Sequence, residues 1–174
     1  MRYILVSILL LLPAAAFAQN GRIRIDVPAS VAAKASETVE VNLDGLMLRF
    51  AAKFLSDEDE EHGVRDMVQK LEGIYVRSYE FDEPNVYDHG IIESVRSQLG
   101  PDWKRIVTVQ SRTKENVEIY VRPRGDSVAG LVVLSAEPRE LTIVNLVGPV
   151  DLDKLAGLEG QFGIPHMSRE KKHE

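Results

Sequence analysis

The sequence predicts an α+β fold in which a single domain builds an antiparallel β-meander sheet with helices packed on one face. Three observations predict it. Helical periodicity dominates the first half of the chain, and four runs of period two fill the second half. The connections between those four runs are short and polar, which suits hairpins rather than crossovers. At 174 residues, with 44 % hydrophobic and 28 % charged residues, the chain has the size and composition of one globular domain.

The elements follow in order. Arg22 to Val27 is an opening strand or an extended lead, and Pro28 to Ser36 is a short alanine-rich helix with proline in its first turn. Val39, Val41 and Leu43 alternate with polar residues and form a strand. Asp44 then caps a helix to about Leu55, with Leu46, Met47, Phe50, Ala51 and Phe54 on one face. Ser56 opens the next helix, whose first turn holds the acidic run Asp57 to Glu61, where the helix dipole favours negative charge. Val64, Met67, Val68 and Leu71 give that helix its apolar stripe, and Gly73 ends it.

Gly73 to Phe81 is β-rich. Ile91, Val95 and Leu99 mark another helix, stopped by Gly100-Pro101. The period-two runs are Ile106 to Arg112, Val117 to Pro123, Val128 to Ala136 and Leu141 to Val147. A final helix starts near Asp151, and a disordered polar tail occupies 166–174. The α+β domain thus spans 19–165, with no internal repeat or linker.

The first eighteen residues read as a signal peptide. Arg2 leads an apolar run from Tyr3 to Leu12, and Ala16-Phe17-Ala18 fits the small-x-small cleavage rule. The run is shorter than the roughly 20 residues a bilayer span needs. Cleavage after Ala18 leaves 156 residues and a net charge of −7. The expected location is periplasmic or secreted. Cysteine is absent, which excludes disulfides, thiolate catalysis, cysteine-ligated zinc and a lipidated N-terminal cysteine.

Several segments resemble a family of exported bacterial proteins known as domain of unknown function 4252. They are Leu71 to Phe81, Gly100-Pro101-Asp102-Trp103, and Glu137 to Gly148. The resemblance runs from about Ser36 to Pro165. It implies a signal peptide, a small α+β domain and no established activity. It also implies an envelope-regulation context, in which relatives are encoded beside sigma-factor and anti-sigma genes.

The chemistry that residues alone can announce is mostly missing. His62, His89, His166 and His173 show no paired-ligand spacing. In the acidic run, Gly63 falls one place late for an EF-hand and Val68 stands at the twelfth position. No nucleophile elbow, phosphate-cradling loop or dinucleotide fingerprint occurs. Arg124-Gly125-Asp126 reads as a hairpin turn. The acidic balance argues against nucleic acid as a partner, and nothing supplies a stable membrane anchor. No metal or cofactor is expected, and no enzymatic activity.

One constellation remains. Alternation puts Tyr75, Arg77 and Tyr79 on one side of their strand, with Ile74 and Val76 on the other. The same rule puts Tyr120 and Arg122 opposite Ile119 and Val121. If both apolar sets face the helices, Tyr75, Arg77, Tyr79, Tyr120 and Arg122 line the open sheet face. Tyr and Arg are enriched at binding hot spots, although such pairs also merely stabilise strand pairing. The expectation is a non-enzymatic binding module of the bacterial envelope with an envelope protein as partner. The alternatives are a small-ligand carrier with a pocket between helices and sheet, or an enzyme whose site assembles in space.

Overall fold

The computed structural model describes residues 21–54, 63–111 and 116–151. The expected signal peptide, the acidic run at 57–61, and the expected final helix and tail past Asp151 lie outside the described residues.

Six strands form one sheet: β1 (Glu37–Asp44), β2 (Gly73–Glu80), β3 (Lys104–Gln110), β4 (Asn116–Arg124), β5 (Ser127–Ala136) and β6 (Glu140–Val150). Their order is β1-β2-β6-β5-β4-β3, with every neighbouring pair antiparallel. The strands from β3 to β6 make the expected meander. β2 joins the free side of β6, pairing Ile74 with Leu146 and Val76 with Val144, and β1 closes that side. The fold is α+β and antiparallel, as the periodicity predicts.

The helices among the described residues are α1 (Ala29–Ala32), α2 (Gly45–Ala51), α3 (Val64–Lys70) and α4 (Gly90–Arg96), and a 3₁₀ turn over Ala52–Phe54 extends α2. Asp44 caps α2 as expected, its Oδ1 accepting from the amides of Leu46 and Met47 at 3.1 and 3.2 Å. Residues 22–27 form the extended lead, not a strand.

Helical cover lies on both sides of the sheet instead of one. On the first face, Leu48, Ala52, Met67 and Val68 pack on Ile74, Val76, Leu131, Val133, Val144 and Leu146. On the second, Ile23, Ile91, Ile92 and Val95 pack on Tyr79, Val132, Leu134, Leu141 and Ile143. The reason is visible in the two central strands. From Leu131 to Leu134, and again from Leu141 to Val147, successive residues are buried regardless of parity. Such strands are largely apolar on both sides and need cover on both. Leaving either face bare would forfeit about 1.5–3 kcal/mol for each large side chain left in water.

The α2 stripe is also corrected. Leu48 and Ala52 point into the core, whereas Leu46, Met47, Phe50 and Phe54 are exposed, Phe54 by 76 %. Phe50 and Phe54 meet edge to face, with ring centroids 5.3 Å apart. The Asp44 cap fixes where the helix starts, and the sheet then meets the narrow Leu48–Ala52 line instead of the aromatic one. Two close approaches complete the frame. Gly148, at φ 111°, lets β6 run so near Leu71-Glu72 that a Cβ there would lie 2.7 Å from the Glu72 amide nitrogen. Tyr87 donates its hydroxyl proton to the carbonyls of Glu140, at 3.0 Å, and Glu137, which ties the loop before α4 to the β5–β6 turn. Burial, helped by Glu137 and Glu140, pushes that phenol up to about 12.

Candidate functional site

The five residues singled out by alternation do share one face. Across the ladder Tyr75, Arg77 and Tyr79 stand opposite Asn145, Ile143 and Leu141, and Tyr120 stands opposite Val132 of the same side. The face is not open, however, and the five do not form one patch. β6 and β5 separate β2 from β4, a gap of about 14 Å at ordinary strand spacing. Over that gap lie α4 and the extended residues 21–27, here termed the arm.

Each of the five therefore has its own surroundings. Tyr79 is buried, and its hydroxyl donates to Glu40 Oε1 at 3.1 Å. Burial first, and then Glu40, raise its pKa above the ordinary phenol value. Arg77 donates to the Val76 carbonyl at 2.8 Å and to Asn42 Oδ1 at 3.1 Å, with Glu40 at 3.7 Å. Tyr75 carries the Arg22 guanidinium over its ring, 4.1 Å from the centroid. Arg122 faces Asp102 at 3.8 Å and approaches the arm at Gly21.

Tyr120 belongs to a charged cluster centred on Glu118, which alternation puts on the same side of β4 but which is not among the five. Arg96 of α4 donates to both Glu118 carboxylate oxygens, at 2.9 and 2.7 Å, and the Tyr120 hydroxyl donates at 2.7 Å. Arg105 approaches at 3.9 Å, and Arg96 also pairs with Glu93. Burial alone would push the Glu118 carboxyl up. Hydrogen bonds from Arg96 and Tyr120, with the charges of Arg96 and Arg105, outweigh it and hold the carboxyl below its usual range. Hydrogen bonding to Glu118 correspondingly raises Arg96. Beside this cluster, between α4 and the sheet, lies a cleft of about 210 Å³ with His89, Gln110 and Asn116 on its walls.

The arm is held by two side-chain amides. Asn145, fully buried in the middle of β6, accepts from the Ile23 amide at 2.9 Å and donates to the Gly21 carbonyl at 3.1 Å and the Leu131 carbonyl at 3.3 Å. Gln98, just past α4, accepts from the Arg24 amide at 2.7 Å and donates to the Arg24 carbonyl at 2.8 Å. Between the clamps Ile23 buries its side chain among Tyr79, Val132 and Ile143, with Ile25 and Val27 half-buried beyond it. Gly21 takes φ 82° beside Ala129 and Val147 of the sheet. The groove is wider than the arm, because a cleft of about 230 Å³ remains beside it, walled by Arg22, Gln98, Trp103 and Arg122.

Asn145 and Gln98 carry one weak signal in the sequence. Asn145 interrupts an otherwise apolar strand, and a buried amide must find partners for its donors and acceptor. Nothing in the sequence says that those partners are the backbone of residues 21–24.

A family model described as domain of unknown function (DUF4252) matches residues 33–158. The chain belongs to that family. Its matched region starts at Ala33, so it takes in all six strands and α2 to α4 and leaves the arm outside. No curated protein and no solved structure matches the chain. Among the described residues no three His, Asp or Glu side chains gather to hold a metal, and no helix is long and apolar enough to cross a membrane.

Proposed function

We propose that this DUF4252 protein is an exported, non-enzymatic interaction module of the bacterial envelope that recognises an extended peptide segment of another envelope protein. The recognition surface is the groove on the second sheet face, between α4 and β2. The observation that carries the reading is the mode in which the groove holds the arm. Two amide side chains bind main-chain donors and acceptors, one apolar side chain is buried, and a cation stacks on Tyr75. Main-chain hydrogen bonds supply affinity for any extended peptide, and side-chain pockets supply selectivity. The preferred segment has an apolar residue at the Ile23 position and a cation one residue before it.

Tyr75 and Arg122, two of the residues expected to bind, border this groove. Tyr79 supports its floor, and Arg77 and Tyr120 brace it from either side through Glu40 and Glu118. The Ala16-Phe17-Ala18 pattern supports export, since cleavage there would release an N-terminus two residues before Gly21. The engagement of Glu118 by Arg96 and Tyr120 supports a non-enzymatic role, because three hydrogen bonds already occupy most of its acceptor sites. The cleft of about 210 Å³ between α4 and the sheet is smaller than the roughly 300–1,000 Å³ of small-molecule sites, which speaks against a carried ligand in that cleft.

Trp103, the single tryptophan, borders the groove and reports on it. In the exported chain, Ile23→Asp unseats the arm and should shift Trp103 emission while circular dichroism stays native. Adding a peptide of sequence Gln19 to Pro28 should restore the emission, and the same peptide with Asp at the Ile23 position should not. A folded Ile23→Asp chain that ignores the peptide would refute the proposal.

A further inference from the structure

We infer that two copies of this chain pair through β3, antiparallel about a two-fold axis at Thr108, so that their sheets become one. The inference is independent of the groove, which lies on a face of the sheet and not at this edge.

The two outer strands are protected very differently. Unpaired edges invite pairing with another chain, and charges spread along them prevent it. β1 spreads Glu37, Glu40 and Asp44 over its whole length. β3 confines its charges to Lys104 and Arg105 at its start, followed by a bulge between Arg105 and Val107. The remaining residues, Ile106 to Gln110, are uncharged and rich in β-branched side chains. Ile106 is 52 % exposed and Val107 36 %. Val107 and Val109 pair with Ile119 and Val117 of β4, both only half-buried at the rim of the first core. The helices of that face sit over β1, β2 and β6, at the other end of the sheet.

A second β3 satisfies this edge in one register particularly well. With the axis at Thr108, Val107 faces the partner's Val109 and Val109 the partner's Val107, both on the side of the first core. The two Thr108 side chains meet on the other side, as cross-strand threonine pairs favour. Ile106 faces the partner's Gln110. Lys104 and Arg105 fall outside the five paired residues, so they do not face Lys104 and Arg105 of the other copy. The axis also closes the assembly. Pairing β3 with the β1 of a neighbour would leave free edges at both ends and continue indefinitely. Five paired residues make a small interface, so the dimer should dissociate in roughly the micromolar range or more weakly.

The absence of cysteine makes the test direct. Facing residues of an antiparallel pair have Cα atoms about 4.5–5.5 Å apart, within disulfide reach. Thr108→Cys in the otherwise unaltered chain should give a disulfide-linked dimer on mild oxidation, whereas Thr38→Cys on β1 should stay monomeric. Sedimentation of the unaltered chain should show a dimer that Val107→Lys converts to monomer, by placing a charge beside the axis. No cross-linking of Thr108→Cys above the Thr38→Cys level overturns the inference, as does a monomer persisting to about 100 µM. A ladder of higher multimers would assign the edge to head-to-tail pairing and also overturn the two-fold. If Val107→Lys fails to fold, the comparison of the two cysteine variants still decides.

Discussion

Asn145→Ala tests the link between the sheet and the arm most sharply. The substitution removes a partner from the Ile23 amide and from the Gly21 and Leu131 carbonyls. Two responses are open to the chain. If the arm stays seated, a buried N–H goes unpaired, at a cost of about 1–3 kcal/mol, with roughly 1 kcal/mol more for the Gly21 and Leu131 carbonyls together. If the arm lifts, its polar groups regain water, but Ile23, only 4 % exposed, surrenders about 1.5–3 kcal/mol of burial. The half-buried Ile25 and Val27 then lose part of theirs. The cheaper route governs, so the expected loss is about 2–3 kcal/mol. Urea denaturation measures the loss, and hydrogen exchange at the Ile23 and Arg24 amides shows which route is taken. Asn145→Asp can still accept from Ile23 but cannot donate to either carbonyl, and it buries a charge. It should cost more than alanine at neutral pH and recover as acid protonates it. A loss below about 0.5 kcal/mol, the range of ordinary surface changes, with Ile23 still protected, would refute the clamp.

Two further outcomes are expected. Because the Glu118 carboxyl titrates below its unfolded value, its contribution is complete above the ordinary carboxylate range and is lost as pH falls through its lowered pKa. Glu118→Gln should therefore destabilise the domain at neutral pH by about 1–3 kcal/mol, less than a fully buried pair because Arg96 is partly exposed, and flatten the acid side of the stability profile. On α2, Leu48→Ala should cost about 2–5 kcal/mol, whereas Phe50→Ser should change thermal stability little, since Leu48 is buried and Phe50 is 57 % exposed. A large loss from Phe50→Ser would reverse the assignment of the helix faces.

Alternation locates the strands and the side on which Tyr75, Arg77, Tyr79, Tyr120 and Arg122 point, because a period of two is a local property of the extended backbone. It cannot say what lies above that side. An open face would need β2 and β4 to be neighbours with nothing apolar between them. The hydrogen-bonded order instead inserts β6 and β5, whose apolar residues on that face demand a cover. The apolar run from Leu131 to Leu134, with the adjacent apolar pairs Ile143-Val144 and Leu146-Val147, hints at two-sided burial, since it breaks the alternation of a half-buried strand. On α2 the helical stripe is legible and its direction is not. Spacing defines a face relative to the helix axis, and only the sheet decides which face turns inward.

What the sequence alone determined here is local: the α+β class, the β3-to-β6 meander, the Asp44 cap, and the parity of each strand. These depend on interactions among residues close along the chain. The tertiary structure alone decided the strand order, the cover on both faces, and the grip of Asn145 on residues 21–23. The partners in that grip are more than 120 positions apart in the chain. No periodicity spans such a distance, and only a folded sheet brings a buried amide to the backbone that satisfies it.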